Sequence, residues 1–371
     1  MFWSILVFFA VLSLLVIVHE FGHYIVAKKN GIWVEEFGFG LPPRIYGKKI
    51  GDTIYSINAL PFGGFVRLHG EMTEDGVTKP KQAFLNKSLL VKTGVITAGV
   101  IMNFLLAVFA FGVIYFHYGI PYEKGYVEIV GIIPDTPAAN SNLVVGERIL
   151  AVDGKDVKDS KEIISIVTEK GGKHKLKVQN ITNDKKSERV VSVDTKQDVD
   201  SGKWYMGVSL SSQGTYFPPL WKAPFYGAYY GTKDSLVWVG NVWDGLTGIA
   251  KDATQGKVSK DLSGPVGIFA IIDQIVKSGD MWALINLIGI ISINLSVLNI
   301  LPFPALDGGR LFFIIIESIF GKKVAPKIES VIHGVGMVIL LAAMLLITFK
   351  DVRGLISAGS ISGFLENMTA K

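Results

Sequence analysis

The chain has 371 residues, of which 49% are hydrophobic and 19% charged, with 37 Lys and Arg against 32 Asp and Glu and no Cys. Soluble domains carry about 25% charged residues, so this balance excludes an ordinary soluble enzyme, a disordered chain and a collagen-like repeat, while zero Cys excludes a disulfide framework, a thiolate zinc site and a Cys nucleophile. The net charge of +5 forms no single basic face; the surplus sits in residues 28–92, a loop between apolar spans, which is a signal of topology and argues against nucleic-acid binding.

Residues 2–27 are apolar apart from His19, Glu20 and His23. No basic stretch precedes them and no small-residue cleavage site closes them, so the spacing predicts a first transmembrane helix and not a signal peptide. A second span is expected at about 94–118. Residues 122–212 read as a soluble β-rich domain, with strands at 126–133, 147–152, 174–181, 189–194 and 204–210. Turn signals separate them at Pro134-Asp135, Asp153-Gly154, Gly171-Gly172 and Asn183-Asp184. Residues 160–169 have helical spacing, with Ser160 as the expected N-cap.

Residues 213–280, rich in Trp and Tyr over 216–260, read as amphipathic helices at the membrane interface. The apolar run from Met281 to about Phe320 is too long for one span of ~17–25 residues. Pro302 and Pro304 interrupt it, so a helix to about Ile300, a broken segment at 301–306 and a second helix at about 307–320 are predicted. A last span at about 331–349 leads into a short tail, 351–371. Lys28, Lys29, Lys87 and Lys92 flank the first loop and Lys322, Lys323 and Lys327 lie between the last spans. Basic residues near span ends mark the cytoplasmic side, which places the 122–212 domain outside.

His19-Glu20-Phe21-Gly22-His23 is HExxH. On a helix, residues four apart share a face, so both imidazoles are set to bind one tetrahedral Zn²⁺ with the intervening Glu as general base. An ionisable group inside an apolar span is costly and is a functional-site candidate by default. The same argument picks out Asp307, the one acidic residue between Met281 and Ile316, just after the broken segment. It completes a His/His/Asp set and leaves a fourth position for water; as a bland alternative it caps the following helix. His69, His117, His174 and His333 have no partner at ligand spacing and are expected at the surface or the interface.

HEFGH in the first span and Asn299-Ile300-Leu301-Pro302-Phe303-Pro304-Ala305-Leu306-Asp307-Gly308-Gly309 in the third closely resemble the site-2 protease family of intramembrane zinc metalloproteases. Gly99-Val100-Ile101-Met102-Asn103, Pro61-Phe62-Gly63-Gly64-Phe65-Val66 and Ser263-Gly264-Pro265-Val266-Gly267-Ile268 follow the order of the bacterial regulator-of-sigma-E protease group. For Asn103 and for 263–268, helix packing and a turn before a span compete as explanations. The resemblance implies an α-helical polytopic membrane protein of about four transmembrane helices. Its first part, 1–118, holds HExxH and a membrane-reentrant β-hairpin at 52–69, and 281–350 holds the NxxPxPxLDG motif.

By resemblance, His19, His23 and Asp307 bind Zn²⁺ and Glu20 is the catalytic base. Asn299, Pro302, Pro304, Gly63, Gly64 and Phe65 contact an extended substrate. The hairpin edge would pair with an unwound substrate segment, whose freed backbone groups need partners in the bilayer. Residues 127–154 and Tyr205-Met206-Gly207-Val208 resemble a PDZ domain. Only one fits here, where the best-known member of the group has two, and Asn140-Ser141-Asn142 departs from the usual AGL-like stretch.

The implied function is regulated proteolysis of single-span membrane proteins, anti-sigma-factor-like substrates or signal-peptide remnants, in the bacterial plasma (inner) membrane. The active site would face the cytoplasm and the PDZ domain the outside. A metal transporter and a catalytically silent PDZ scaffold are the alternatives. The first expects repeated halves and several intramembrane charges, the second a missing base or ligand.

Overall fold

A computed structural model describes residues 1–71, 77–182, 185–198, 202–255, 263–321 and 325–369. The turn expected at Asn183-Asp184 and the flanking Lys322 and Lys323 lie outside them, as does the side chain of Lys327. The chain divides into two compact units, one of Met1–His117 with Pro224–Lys371 and one of Tyr118–Ala223.

The first unit opens with helix α1 (Phe2–Lys29), strands β1 (Val34–Ile50) and β2 (Thr53–Leu68), and helix α2 (Leu89–Tyr118). The inserted unit carries β3 (Ile120–Ile132), β4 (Arg148–Val152), β5 (Lys155–Asp156), α3 (Ser160–Glu169), β6 (His174–Thr182), β7 (Lys185–Val193), β8 (Lys196–Gln197), β9 (Trp204–Tyr205) and β10 (Val208–Tyr216). The chain returns through α4 (Ala223–Thr254), α5 (Pro265–Ser278), α6 (Met281–Ile300), α7 (Asp307–Phe320), α8 (Pro326–Ala358) and α9 (Ile361–Thr369). Among the described residues, four helices are long and apolar enough to cross a membrane: Phe2–Lys29, Leu89–Tyr118, Met281–Ile300 and Ile328–Ala358.

Small and polar residues let these helices meet without relying on a hydrophobic force, which lipid does not supply. Ser292 and Ser296 of α6 donate to the carbonyls of Asn103 and Val100 on α2, at 2.7 and 3.0 Å. Gly112 of α2 faces Gly227 of α4, where an added Cβ would come within 2.9 Å of the opposite carbonyl. Val11 and Leu15 of α1 pack with Ile272 of α5 and Leu284 and Ile291 of α6. The aromatic stretch after Pro224 thus forms one long helix packed against α2.

The last span is longer than predicted because Lys350 and Asp351 do not end it. The buried Asp351 carboxylate accepts from Gly264 N (2.8 Å) and Gly267 N (3.2 Å) at the start of α5, a helix terminus that favours negative charge. The 263–268 motif is therefore a turn and helix start held by α8.

Residues 52–69 are not a hairpin of their own, which corrects the expectation. Within β2, the segment 53–58 pairs with 44–50 and again with 36–39, while 64–68 pairs with the other side of 34–39 (Phe37 with both Tyr55 and Val66). Residues 34–40 alternate buried and half-buried, and Gly38 gives up its side chain where Phe65 crosses it, 2.5 Å from an added Cβ. That central segment, paired on both sides, organises the sheet.

The inserted unit is an antiparallel sheet of order β10-β3-β4-β6-β7, with β5 attached to β4. Its core joins Val127, Ile129, Ile149, Leu176, Val178 and Val193 to Ile163 and Val167 of α3. The run expected at 204–210 is split, because Gly207 takes φ 86° between β9 and β10. The N-cap of α3 is Asp159, whose side chain accepts from Lys161 N, and not Ser160. Three of the histidines expected at the surface are buried: His69 against Glu35 (2.7 Å), His174 against Asp153 (2.7 Å), and His333 in α8. Each has a partner for a ring nitrogen, which spacing along the sequence does not reveal. His117 is exposed and stacks on Trp282.

Leu176 is fully buried. Leu176→Ala is expected to destabilise the inserted unit by about 2–5 kcal/mol, seen as faster hydrogen exchange across β4 and β6 while α1 and α2 keep their protection.

Candidate metal centre

Helix α1 runs unbroken through HExxH, so His19 and His23 present their rings one above the other. Their Nε2 atoms are 3.2 Å apart. Asp307 Oδ2 lies 3.0 Å from His19 Nε2 and 3.3 Å from His23 Nε2. With metal–ligand bonds of about 2.0–2.2 Å, ligands on a tetrahedral Zn²⁺ stand roughly 3.3–3.5 Å apart, so the triangle fits such an ion.

Hydrogen bonding supports the same reading. Asp307 Oδ2 is buried and has no hydrogen bond among the described residues; with both imidazoles protonated on Nδ1, its short approaches to them are lone pair towards lone pair. His23 Nδ1 is 2.8 Å from Val95 O, so the proton sits on Nδ1 and Nε2 is left as a ligand atom. Asn103 approaches His19 Nδ1 at 3.4 Å through its Nδ2, while its buried Oδ1 has no partner. Turning that amide over, which leaves its shape unchanged, lets Oδ1 accept the Nδ1 proton and frees His19 Nε2 in the same way. Gly99 of α2 lies flat against both rings: an added Cβ would stand 2.5 Å from His23 Nε2 and 2.7 Å from His19 Cε1.

The carboxylate arrives from the break. Pro302 and Pro304 lack the N–H groups a continuing helix needs, so α6 ends at Ile300 and α7 starts at Asp307. Ala305 takes φ 79°. Its N–H donates to His333 Nδ1 at 2.8 Å, which ties the break to α8. Asp307 is in the first turn of α7 but caps nothing with its side chain; its oxygen is turned to the histidines instead.

Glu20 stands beside the triangle. Its Oε2 accepts from Val66 N (3.1 Å) on β2. A cavity of about 510 Å³ is lined by Glu20, His23, Phe65, Val66, Asp307 and Arg310, among others, and Arg310 pairs there with Glu71. Of the residues expected to contact substrate, Phe65 lines this cavity and Gly64 lies against Glu20, its added Cβ 4.0 Å from Glu20 Cγ. Gly63 occupies a bend with φ 79°. Asn299, Pro302 and Pro304 do not line the cavity: Asn299 is half-buried in the last turn of α6, Pro302 is exposed, and Pro304 packs on Gly336 of α8. His333 also lines the cavity. A histidine within an otherwise apolar span was the available signal for it.

Asn103→Leu removes the group that orients His19 and is expected to weaken zinc binding about 10–100-fold. Gly99→Ala is expected to lower it too, by pushing the rings out of register. Both are read by chelator competition on purified protein.

Residues 7–343 match peptidase family M50. Among curated relatives, the "Putative zinc metalloprotease" of Clostridium perfringens is 32% identical over 345 residues, covering 92% of this chain and 96% of its own length. Zinc metalloprotease RasP of Geobacillus kaustophilus is 29% identical over 428 aligned positions, covering 94% and 98%. A crystal structure of the PDZ domain of an SdrC-like protein from Listeria monocytogenes aligns with 24% of this chain and 90% of its own, at 24% identity and a TM-score of 0.21, too distant to add to the strand order above. With its family matched from α1 into α8 and relatives aligned over nearly their full lengths, the chain belongs to peptidase family M50 and is a zinc metalloprotease built into a membrane.

Proposed function

We propose that the protein cuts single-span membrane proteins inside the bilayer, with His19, His23 and Asp307 holding Zn²⁺ and Glu20 as general base. The observation that carries this is the triangle of buried ligand atoms from α1 and α7, with a carboxylate and a strand edge beside it. Zn²⁺, when bound, supplies an electrophile for the scissile carbonyl and a water whose pKa is brought towards about 7. Glu20, beside the triangle, would take a proton from the attacking water and pass it to the leaving amine.

A substrate helix shields its peptide bonds and must unwind first. Segment 64–68 offers an edge for the unwound stretch. Seating it gives Val66 N–H a substrate carbonyl as acceptor and releases Glu20 from its resting hydrogen bond. Phe65 and Gly64 flank that seat, while Asn299, Pro302 and Pro304 shape the break that carries Asp307 rather than the cavity itself. The basic residues at the span ends put the active site towards the cytoplasm of a bacterial plasma membrane and the inserted unit outside. The inserted unit, read as a PDZ domain over 122–212, screens substrates already trimmed by another protease. Anti-sigma-factor-like proteins and signal-peptide remnants are the substrate classes that fit.

Glu20→Gln is expected to keep zinc and to lower cleavage of a single-span reporter at least about 100-fold; undiminished cleavage would remove Glu20 from the mechanism. Asp307→Asn is expected to lose zinc from purified protein, and metal content equal to the parent would take Asp307 off the ligand set. A silent scaffold would leave the reporter intact whatever its zinc content.

A further inference from the structure

We infer that His333 of α8 is a positioning residue for the metal centre: by accepting the N–H of Ala305 it holds the chain two residues before Asp307 in the left-handed conformation that aims the carboxylate at His19 and His23. The inference rests on the proposed role of Asp307 as a ligand.

Four observations support it. Ala305 has φ 79°, a region that side chains other than glycine enter at a cost and hold only when their surroundings fix them. The Ala305 N–H to His333 Nδ1 hydrogen bond, at 2.8 Å, joins the break to α8. The space around the ring is shaped for it: an added Cβ at Gly309 would lie 3.2 Å from His333 Cε1. Beside it, Gly336 lets Pro304 lie directly on α8.

The ring state follows from these contacts. Because Nδ1 accepts, the proton is on Nε2, which is buried with no hydrogen bond among the described residues and has the Glu329 carboxylate 3.9 Å away, beyond hydrogen-bond reach. Phe313 of α7 meets the ring edge to face, with centroids 5.7 Å apart. Backbone that leaves helical geometry at membrane depth is tolerated only where protein satisfies its polar groups. His333 does so for the one break that carries a proposed ligand. It touches neither the triangle nor Glu20 in the contacts above, so its effect on the metal passes through Ala305.

The substitutions separate this from mere packing. Asn carries an acceptor on Cγ, as His carries Nδ1, and can keep the Ala305 hydrogen bond; Gln carries its amide one carbon further out; Leu carries none. The full-length protein in detergent is titrated with Zn²⁺ against a chelator, and with Co²⁺ to record the d–d absorption of the bound ion. His333→Leu and His333→Gln are expected to weaken Zn²⁺ binding about 10–100-fold and to shift the Co²⁺ bands, with His333→Asn restoring both to within about threefold of the parent.

Parent-like affinity and spectrum in His333→Leu would overturn the inference, as would Asn and Gln variants that bind equally. If the Leu variant does not fold, the Asn–Gln comparison decides alone. Asp307→Asn measured alongside tells the two failures apart. Loss of metal there with none in the His333 variants sinks only the positioning role, whereas unchanged metal there sinks the ligand assignment beneath it.

Discussion

Two imidazole nitrogens and a carboxylate oxygen, 3.0–3.3 Å apart and buried among apolar helices, repel one another unless a cation lies between them. The rest of the first unit is arranged around that constraint. The second nitrogen of His23 is occupied by a backbone carbonyl of α2 and that of His19 by an amide of α2, so both rings are turned with their free lone pairs inward. The residue of α2 between these contacts is glycine because the rings occupy the volume of its side chain. Two serines of α6 then pin that helix to the same stretch of α2. The two imidazoles and the carboxylate converge because α1 and α6 are each fixed to α2.

The second coupling runs through the β-segment. In a sheet, an edge strand presents unpaired N–H and C=O groups as a template for another strand. Here one of those N–H groups, Val66, is spent on Glu20. In the proposed mechanism, substrate and base compete for a single donor, so the base is free to act when the edge is filled. Accepting a substrate strand and preparing the base become one event, which also limits wasteful activation of water when no substrate is present.

The elements of the membrane unit were legible because their signals are compositional. Long apolar runs give spans, and two prolines without N–H groups end α6 at a predictable place. HExxH was legible because helical periodicity alone puts its histidines on one face. Asp307 stood out because an isolated acid in an apolar run needs a partner. What stayed hidden is what depends on contacts distant in sequence. The 34–40 segment pairs on both sides, which no local turn signal reports. Asp351 extends the last span because its charge is met by N–H groups 87 and 84 residues away. His69, His174 and His333 read as surface residues because their partners lie 34, 21 and 28 positions off.

The break between α6 and α7 explains why the proposed third ligand, Asp307, is where it is. HExxH already uses one helical face, so another ligand must approach from a different element at a steep angle. A side chain in the middle of a continuous helix is surrounded by its own satisfied backbone. Placed at the start of α7, Asp307 instead sits in a first turn whose N–H groups favour negative charge, which offsets part of the cost of a carboxylate at membrane depth. The same interruption exposes backbone groups that lipid cannot satisfy. Local bonds take some of them, such as Leu306 N to Phe303 O and Gly309 N to Leu306 O. Ala305 N–H, turned outward by its left-handed conformation, goes to His333. A helix packed as sparsely as α8, with Val331, Val335, Val338, Leu345 and Leu346 all exposed, carries a buried histidine at that level because the break that delivers the carboxylate leaves a donor there to be met.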